Sequence, residues 1–204
     1  MSDIEAIMRM APVIPVLVID DAAHAVPIAE ALVAGGLPVL EVTLRTPVAI
    51  DVIKAMKTVP GAVVGAGTVL NADQLKTSLA AGAEFIVSPG MTPKFAQEVI
   101  DTGIPFLPGT ANASDIMLGL ELGLTRFKFF PAEASGGIAA LKALSGPFGE
   151  ARFCPTGGIT QATAGNWLAL DAVLCVGGSW LFQKGPPDKE AIEAAAHAAR
   201  ALVL

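Results

Sequence analysis

Short apolar runs alternate with alanine-rich amphipathic stretches along almost the whole chain. Eight of these runs are brief, mostly uncharged and bounded by turn or cap residues, which is typical of buried strands. These predicted strands cover residues 13–19, 38–43, 62–66, 84–87, 105–107, 126–130, 152–155 and 172–176. A helical pattern follows each run, and residues 2–10 predict a short leading helix. The predicted helices include residues 22–34, 93–102, 113–122, 161–170 and 188–203, with a short helical turn after Trp180.

Regular alternation of strand and helix predicts a parallel sheet with right-handed crossovers. Eight such units in 204 residues predict an α/β fold of the (β/α)8, or TIM-barrel, type. The short N-terminal helix precedes it, and residues 1–204 are expected to form a single domain. The alternative is a doubly wound open sheet. Its dinucleotide-binding fingerprint is incomplete, since Leu70 stands in GAGTVL (residues 65–70) where the third glycine would be.

The composition and charge argue against several classes of protein but do not indicate a reaction. Hydrophobic residues make up 53% of the chain, and the mean hydropathy is +0.62. The longest uncharged stretch, residues 153–170, is interrupted by proline and glycine, and the first ten residues do not resemble a secretory signal. The net charge of −6, with scattered Lys and Arg, argues against nucleic acid or a membrane surface as a partner. Cys154 and Cys175 lie in apolar runs, which is typical of reduced core cysteines in a cytoplasmic protein.

One lysine lies inside an apolar strand. Lys128 stands between Phe127 and Phe129 in RFKFFPAE (residues 126–133). Lysine is rarely buried without a partner, and burial disfavours the ammonium form, so a buried lysine can act as a nucleophilic amine. On this segment alone, a side chain that extends to water and has no chemical role is the plainer interpretation. Because successive side chains alternate across a strand, Lys128 is expected to face the lumen while both phenylalanines pack against helices.

Polar residues also stand at the ends of strands 2 and 3, where the chemistry of such barrels is found. Alternation along strand 2 predicts that Glu41 faces the lumen. A carboxylate there can act as general acid and base beside Lys128, or it can form a salt bridge with Arg45. Arg45 can instead bind a substrate carboxylate through its guanidinium group. Thr68 is either an ordinary turn residue or an exposed hydroxyl donor.

Paired glycines follow strands 7 and 8, in PTGGIT (residues 155–160) and VGGSW (residues 176–180). Such turns let backbone N–H groups approach an anion, and the helix that follows adds the positive end of its dipole. The loops after strands 7 and 8 commonly hold phosphate in TIM barrels. The pattern therefore favours a phosphate site, and the alternative is two tight turns with a purely steric purpose.

The motifs LEVTLRTP, GAGTVL, VSPG, RFKFFPAE, FCPTGGIT and VGGSW, in this order and spacing, resemble the class I 2-keto-3-deoxy-6-phosphogluconate (KDPG) aldolases. The resemblance covers essentially the whole chain, and members of this family are often also active on 4-hydroxy-2-oxoglutarate. It implies a carbon–carbon lyase of the Entner–Doudoroff pathway that cleaves KDPG to pyruvate and glyceraldehyde 3-phosphate through a Schiff base. It also implies a homotrimer and no metal or other cofactor, because the iminium ion supplies the polarisation that a metal gives in class II aldolases.

The resemblance assigns a role to each motif. Lys128 would form the Schiff base, Glu41 would shuttle protons, and Arg45 and Thr68 would hold the pyruvate carboxylate. Thr156 would contact a substrate hydroxyl and so influence specificity. The residues implied for phosphate binding are Gly157, Gly158, Gly178 and Ser179.

Two other functions fit the residues themselves. A phosphosugar isomerase or epimerase would use Glu41 as its base and the same glycine loops, with Lys128 serving only as a charge. A non-catalytic protein that binds a phosphorylated ligand would need the loops alone. Both remain open at the level of the sequence.

Overall fold

The computed structural model describes residues 3–182 and 185–202. Its strands are β1 (Val13–Leu17), β2 (Val39–Thr43), β3 (Val63–Gly67), β4 (Ile86–Val87), β5 (Phe106–Leu107), β6 (Gly109–Thr110), β7 (Arg126–Phe129), β8 (Arg152–Pro155) and β9 (Val176–Gly178). Its helices are α1 (Ile4–Met8), α2 (Ala25–Ala34), α3 (Ala49–Met56), α4 (Ala72–Ala80), α5 (Pro93–Asp101), α6 (Ala113–Glu121), α7 (Gly137–Ser145), α8 (Gln161–Leu168) and α9 (Lys189–Arg200). A 3-10 turn, Ala22–His24, leads into α2.

The strands form parallel ladders, as the alternation of strands and helices predicts. One curled sheet has six strands in the order β5-β4-β3-β2-β1-β9, and a second has three in the order β6-β7-β8. The α/β class with a parallel sheet is therefore confirmed. The two sheets divide just after the predicted strand 105–107. That strand corresponds to β5 in the first sheet, and β6 in the second sheet follows it directly after Pro108. Proline has no backbone N–H to donate to a ladder, which explains the break.

Side-chain caps begin many of the helices at the predicted places. The side-chain oxygens of Asn71, Thr92, Asn112 and Asp188 each accept a hydrogen bond from a backbone N–H in the first turn of the helix that follows. The side chain of Asp21 accepts a hydrogen bond from the backbone N–H of Ala23 and begins the 3-10 turn, so the predicted helix over residues 22–34 starts as a 3-10 turn before α2. These bonds satisfy N–H groups that have no partner within the helix.

Several predicted boundaries were wrong by a few residues. The first strand ends at Leu17, before residue 19, and the fourth begins at Ile86, after residue 84. The last helix ends at Arg200 among the described residues, while predicted positions 2 and 203 lie outside them. The segment after Trp180 is a turn, and none of the described residues of that segment is helical.

The eighth strand differs most from its prediction. Residues 172–176 were expected to be the strand and the glycines after it a turn, but β9 is Val176–Gly178. Gly177 and Gly178 pair with Ile14 and Pro15 of β1. A Cβ atom at Gly177 would lie 2.3 Å from Oγ1 of Thr156, and one at Gly178 would lie 2.2 Å from the ring of Trp180. These glycines therefore make room for neighbouring side chains and do not form a turn.

The strands separate two layers of buried side chains. The larger cluster lies between the strands and the helices and includes Phe127, Phe129 and Trp167. The smaller cluster lies on the opposite face, called here the inner face, and includes Phe85 and Cys154. Among the residues that the structure describes, no helix is both long enough and apolar enough to cross a membrane.

The leading helix α1 closes one end of the inner face. Its Ile7 and Met8 belong to the inner cluster, and its Glu5 carboxylate accepts a hydrogen bond from Nε of Arg126 at 2.7 Å. Nε of Arg9 lies 2.7 Å from the other carboxylate oxygen of Glu5. Hydrogen bonds hold the pKa of the Glu5 carboxyl group below its ordinary value of 4.5, with the largest effect from Arg9 and the next largest from Arg126. The charged form of Glu5 therefore stabilises the attachment of α1.

Replacing Glu5 with glutamine is expected to lower stability in a pH-dependent way. A carboxylate whose pKa is depressed by folding stabilises the native state above its unfolded pKa, and this contribution is lost as pH falls through the folded pKa. We expect a loss of roughly 0.5–1 kcal/mol near neutral pH, because the site is close to the surface. The loss should shrink below about pH 4. Urea unfolding of both proteins from pH 3 to 7 measures it, with Glu121→Gln on α6 as a control for charge, because Glu121 is exposed and has no ion-pair partner among the described residues. An equal loss at pH 3 and pH 7 would contradict this account.

Candidate active site

A cavity of about 360 Å3 opens at the carboxyl ends of the parallel strands. Its lining comes from both sheets and from the loops that follow their strands. The lining residues are Val16, Val18, Glu41, Arg45, Thr68, Pro89, Lys128, Phe130, Thr156, Gly157, Gly158, Ile159, Gly177 and Ser179. All the residues to which the family resemblance assigns a role, except Gly178, are among them. Motifs far apart in sequence therefore meet at one site.

Lys128 and Glu41 form a buried ion pair in this cavity. Nζ of Lys128 lies 2.9 Å from Oε1 and 3.3 Å from Oε2 of Glu41. The two residues are only 5% and 3% exposed. Gly67 of β3 makes the space for the carboxylate, since a Cβ atom there would lie 2.3 Å from Oε1. A primary amine and a carboxylate are thus in direct contact and largely buried from water, and these are group types that can serve Schiff-base chemistry.

Alternation along β7 orients this lysine as the sequence predicts. Phe127 and Phe129 are fully buried in the outer core, where Phe129 packs against Trp167 with their ring centroids 6.3 Å apart. Lys128 points into the cavity, and its Nζ lies 5.4 Å from the ring centroid of Phe130. The face of an aromatic ring attracts a cation, so the Phe130 ring makes a cation–π contact with this side chain.

Arg45 and Thr68 lie on loops beside the ion pair. The exposed Arg45 side chain has no ion-pair partner among the described residues, so Glu41 does not form the alternative salt bridge with it. Thr68 adopts a left-handed backbone conformation with φ of 60°. This region is unfavourable for a β-branched residue. The surrounding fold must hold Thr68 in this conformation, where it lines the cavity.

The two predicted glycine loops differ in the structure. Gly157 and Gly158 have φ of 104° and 80° and form a true left-handed turn at the cavity wall. On the other side, Ser179 and Gly177 line the cavity, whereas Gly178 lies within β9 under the ring of Trp180. Backbone donors at the first loop and the Ser179 hydroxyl are therefore in a position to meet an anion at this end.

Thr156 is a buried polar residue between the ion pair and the glycine turn. Its Oγ1 donates a hydrogen bond of 3.3 Å to the carbonyl oxygen of Cys154. It packs closely against Gly177 on the neighbouring strand. Thr156 therefore contributes a buried hydroxyl group to the cavity lining.

The two cysteines are free and buried, as predicted. Burial, reinforced by a hydrogen bond with Cys154, raises the pKa of the Cys175 thiol well above its ordinary value. The negative charge of Glu41 contributes in the same direction. Because the thiolate is the reactive form of cysteine, the raised pKa disfavours that form at Cys175.

Three cavity residues were not identified from the sequence, namely Val16, Val18 and Ile159. Alternation along the first strand, with Ile14 on the inner face, was a usable signal for Val16 and Val18. Gly177 belongs to the predicted glycine pair, but the space it leaves for Thr156 was not predicted, because Thr156 is distant in sequence.

A second, more open groove of about 440 Å3 lies near the start of β8. The guanidinium group of Arg152 in its lining donates hydrogen bonds to the backbone carbonyl oxygens of Gly149 and Ala151. The groove lining includes Lys142 and Asp171 but has no buried pair like that of Lys128 and Glu41. This groove therefore lacks the buried amine–carboxylate contact found at the strand carboxyl ends.

Comparison with known proteins identifies the family. The family model of the KDPG and KHG aldolases matches residues 4–196 of this chain. The chain belongs to this aldolase family. A 2-dehydro-3-deoxy-phosphogluconate aldolase of Zymomonas mobilis is 59% identical over 201 residues, which is 98% of this chain and 97% of that protein.

Solved structures of this aldolase family superimpose closely. The 2-keto-3-deoxy-6-phosphogluconate aldolase of Zymomonas mobilis ATCC 29191 matches with a TM-score of 0.98 and 59% identity, covering 99% of this chain and 98% of that one. A KDPG aldolase from Legionella pneumophila matches with a TM-score of 0.95 and 44% identity, covering 98% of this chain and 99% of that one. In that structure pyruvate was captured as a covalent carbinolamine intermediate.

Proposed function

We propose that this protein is a Schiff-base KDPG aldolase that produces pyruvate and glyceraldehyde 3-phosphate. The observation that carries the proposal is the buried contact of 2.9 Å between Nζ of Lys128 and Oε1 of Glu41. An isomerase needs a base but no lysine nucleophile, and a binding protein needs neither. Membership of the KDPG and KHG aldolase family favours the aldolase over both. A solved 4-hydroxy-2-oxoglutarate aldolase that is 37% identical and matches with a TM-score of 0.90 also supports cleavage of 4-hydroxy-2-oxoglutarate to pyruvate and glyoxylate.

The reaction begins at Lys128. Lys128 first passes a proton to Glu41 across their contact of 2.9 Å, which leaves a neutral amine and a protonated carboxyl group. The amine attacks the C2 ketone of the substrate and forms a C–N bond, and a proton moves from the nitrogen to the carbonyl oxygen to give a carbinolamine. Loss of that hydroxyl as water leaves an iminium ion. Contact with Glu41 and with the face of Phe130 stabilises the positive nitrogen. The iminium ion then accepts the electron pair released when the C3–C4 bond breaks.

Glu41 moves the protons that these steps require. As an acid it protonates the departing hydroxyl of the carbinolamine, and as a base it takes the proton of the C4 hydroxyl during cleavage. The aldehyde leaves, and Glu41 returns a proton to C3 of the enamine, which gives the iminium ion of pyruvate. Attack by water releases pyruvate and restores Lys128. One carboxylate can serve each step in turn, because the substrate carbons remain tethered beside it.

The rest of the cavity orients the substrate. Arg45 and Thr68 would hold the pyruvate carboxylate, since the guanidinium group lacks an ion-pair partner among the described residues and the threonine is held at the wall. Thr156 would contact a substrate hydroxyl. The phosphate would bind at the backbone of Gly157, Gly158 and Gly178 and at the hydroxyl group of Ser179. The scheme uses no metal and no other cofactor.

We infer that the two sheets belong to one closed (β/α)8 barrel. Two isolated parallel bridges, Phe153 with Val173 and Thr156 with Gly177, support a junction between β8 and β9. At the other junction only Pro108 separates β5 from β6, and its carbonyl oxygen accepts a hydrogen bond of 2.8 Å from the backbone N–H of Lys128. The contact between Glu41 of one sheet and Lys128 of the other also fits a closed lumen.

We also propose that the protein is a cytoplasmic homotrimer. The free cysteines fit a reducing compartment. The exposed apolar side chains of Leu70 and Met117 fit a surface that is covered by other subunits. Sedimentation equilibrium measures the oligomeric state, and a monomer at micromolar concentration would overturn the trimer.

Borohydride reduction in the presence of pyruvate tests the proposed chemistry. The expected result is a stable mass increase that peptide mapping assigns to Lys128, because hydride converts the iminium ion to a secondary amine. A parallel assay coupled to lactate dehydrogenase should show pyruvate released from KDPG. Unmodified protein, under conditions that trap a control class I aldolase, would overturn the Schiff base. Binding of the sugar phosphate without pyruvate release would indicate a non-catalytic protein.

A further inference from the structure

The turn after β7 holds the Gly157 and Gly158 turn in place. The backbone N–H of Glu133 donates to the carbonyl oxygen of Gly157 at 3.1 Å, and that of Ala132 donates to Thr156 at 2.8 Å. A Cβ atom at Gly158 would lie 2.7 Å from Cβ and Cγ of Glu133. The side-chain stem of Glu133 therefore lies directly against the backbone that is proposed to bind phosphate.

The carboxylate of Glu133 is itself fixed from the outer layer. Nε1 of Trp167, on α8, donates a hydrogen bond of 3.2 Å to Oε1 of Glu133. Trp167 is fully buried and packs against Phe129, the residue that follows Lys128. A carboxylate near a phosphate site repels the anion unless it is held elsewhere. The indole holds it toward α8.

We propose that Glu133 and Trp167 are positioning residues that fix the Gly157 and Gly158 turn for recognition of a phosphorylated aldehyde. Both glycines adopt left-handed conformations that leave the direction of their N–H groups sensitive to small rotations. The hydrogen bond between the two side chains and the packing of Glu133 under Gly158 restrict those rotations. This inference rests on the proposed aldolase function and extends it, since neither residue contacts the reacting carbons.

The test compares two acceptor aldehydes that differ only in the phosphate. Wild type, Glu133→Ala, Glu133→Gln and Trp167→Phe are assayed for condensation of pyruvate with glyceraldehyde 3-phosphate and with glyceraldehyde. The alanine and glutamine variants carry the same charge, but only glutamine keeps an oxygen that can accept from Trp167. The glutamine variant therefore separates the hydrogen bond from the loss of a negative charge.

We expect Glu133→Ala and Trp167→Phe to lower kcat/KM for glyceraldehyde 3-phosphate about tenfold, chiefly through KM, the scale of one lost hydrogen bond to an anion. The value for glyceraldehyde should change by less than about twofold, and Glu133→Gln should resemble wild type with both aldehydes. Exchange of the pyruvate methyl protons for deuterium should be unaffected, since it uses only Lys128 and Glu41.

Equal losses with the two aldehydes, or a glutamine variant as impaired as the alanine variant, would overturn the inference. So would a wild-type protein without preference for the phosphorylated aldehyde. If Trp167→Phe fails to fold, the matched pair at Glu133 decides, because that side chain is at the surface. A wild-type protein that condenses neither aldehyde and forms no borohydride adduct would instead overturn the proposed function.

Discussion

Replacing Lys128 with alanine is expected to abolish KDPG cleavage while the fold remains intact. Without the amine no iminium ion forms, and the C3–C4 bond has no electron acceptor. We expect kcat to fall by roughly 10⁴-fold or more, as when other covalent nucleophiles are removed. The lactate dehydrogenase assay measures this loss. Circular dichroism and thermal unfolding establish that the variant is folded.

Lys128→Arg is the control that separates nucleophile from charge. Arginine keeps a cation that can pair with Glu41, which is only 3% exposed, but it does not form a Schiff base. If Lys128 acted only as a charge, as in the isomerase alternative, Lys128→Arg would retain much of the activity. We expect it to be as inactive as Lys128→Ala and to give no borohydride adduct with pyruvate. Substantial turnover by Lys128→Arg would contradict the Schiff-base mechanism.

The inner-face positions of Lys128 and Glu41 could be predicted, because alternation along a strand is a local rule. Alternation along a strand assigns Lys128 and Glu41 to the inner face, and a buried charge requires a partner. The sequence left two partners open for Glu41, and the structure pairs it with Lys128 at 2.9 Å. Arg45 stands beyond the end of β2, where its long side chain is exposed. The choice depended on the distance between two strands, which no local pattern contains.

The glycines show where sequence reasoning fails. Both glycine pairs look like turns, and Gly157 and Gly158 do form one. Gly177 and Gly178 instead lie in β9, because the side chains of Thr156 and Trp180 occupy the positions where their Cβ atoms would be. A glycine needed for space has the same local signature as one needed for a turn. For Gly177 the distinguishing neighbour is Thr156 on another strand, and for Gly178 it is the position taken by the Trp180 ring, and neither is visible in a local pattern.

The division of the strands into two sheets at Pro108 was also not predicted from the sequence pattern. Alternation of strands and helices predicts the order of the elements correctly, but ladder continuity depends on backbone donors at particular positions. Pro108 lacks the N–H group and contributes only its carbonyl oxygen, which accepts from Lys128. The break therefore lies beside the catalytic strand, where a backbone hydrogen bond still holds β7 in register.

Glutamine at position 41 is expected to separate formation of the iminium ion from the later proton transfers. Its carbonyl oxygen can still accept a hydrogen bond from Lys128, but it cannot take the proton of the C4 hydroxyl or return one to the enamine. We expect kcat for cleavage to fall roughly 10²-fold or more, the scale of a lost general acid and base. Borohydride trapping with pyruvate should persist in part, while deuterium exchange into the pyruvate methyl group should fall with kcat.

The comparison of trapping with exchange decides what Glu41 does. If Glu41 only held Lys128 in place, Glu41→Gln would lose trapping and exchange to the same extent, since both need the amine. Glu41→Asp is the matched control, because it keeps the carboxylate on a side chain one methylene shorter. It should retain more exchange than Glu41→Gln despite a poorer contact with Nζ. Wild-type turnover by Glu41→Gln would remove Glu41 from the mechanism and leave water as the agent that moves the protons.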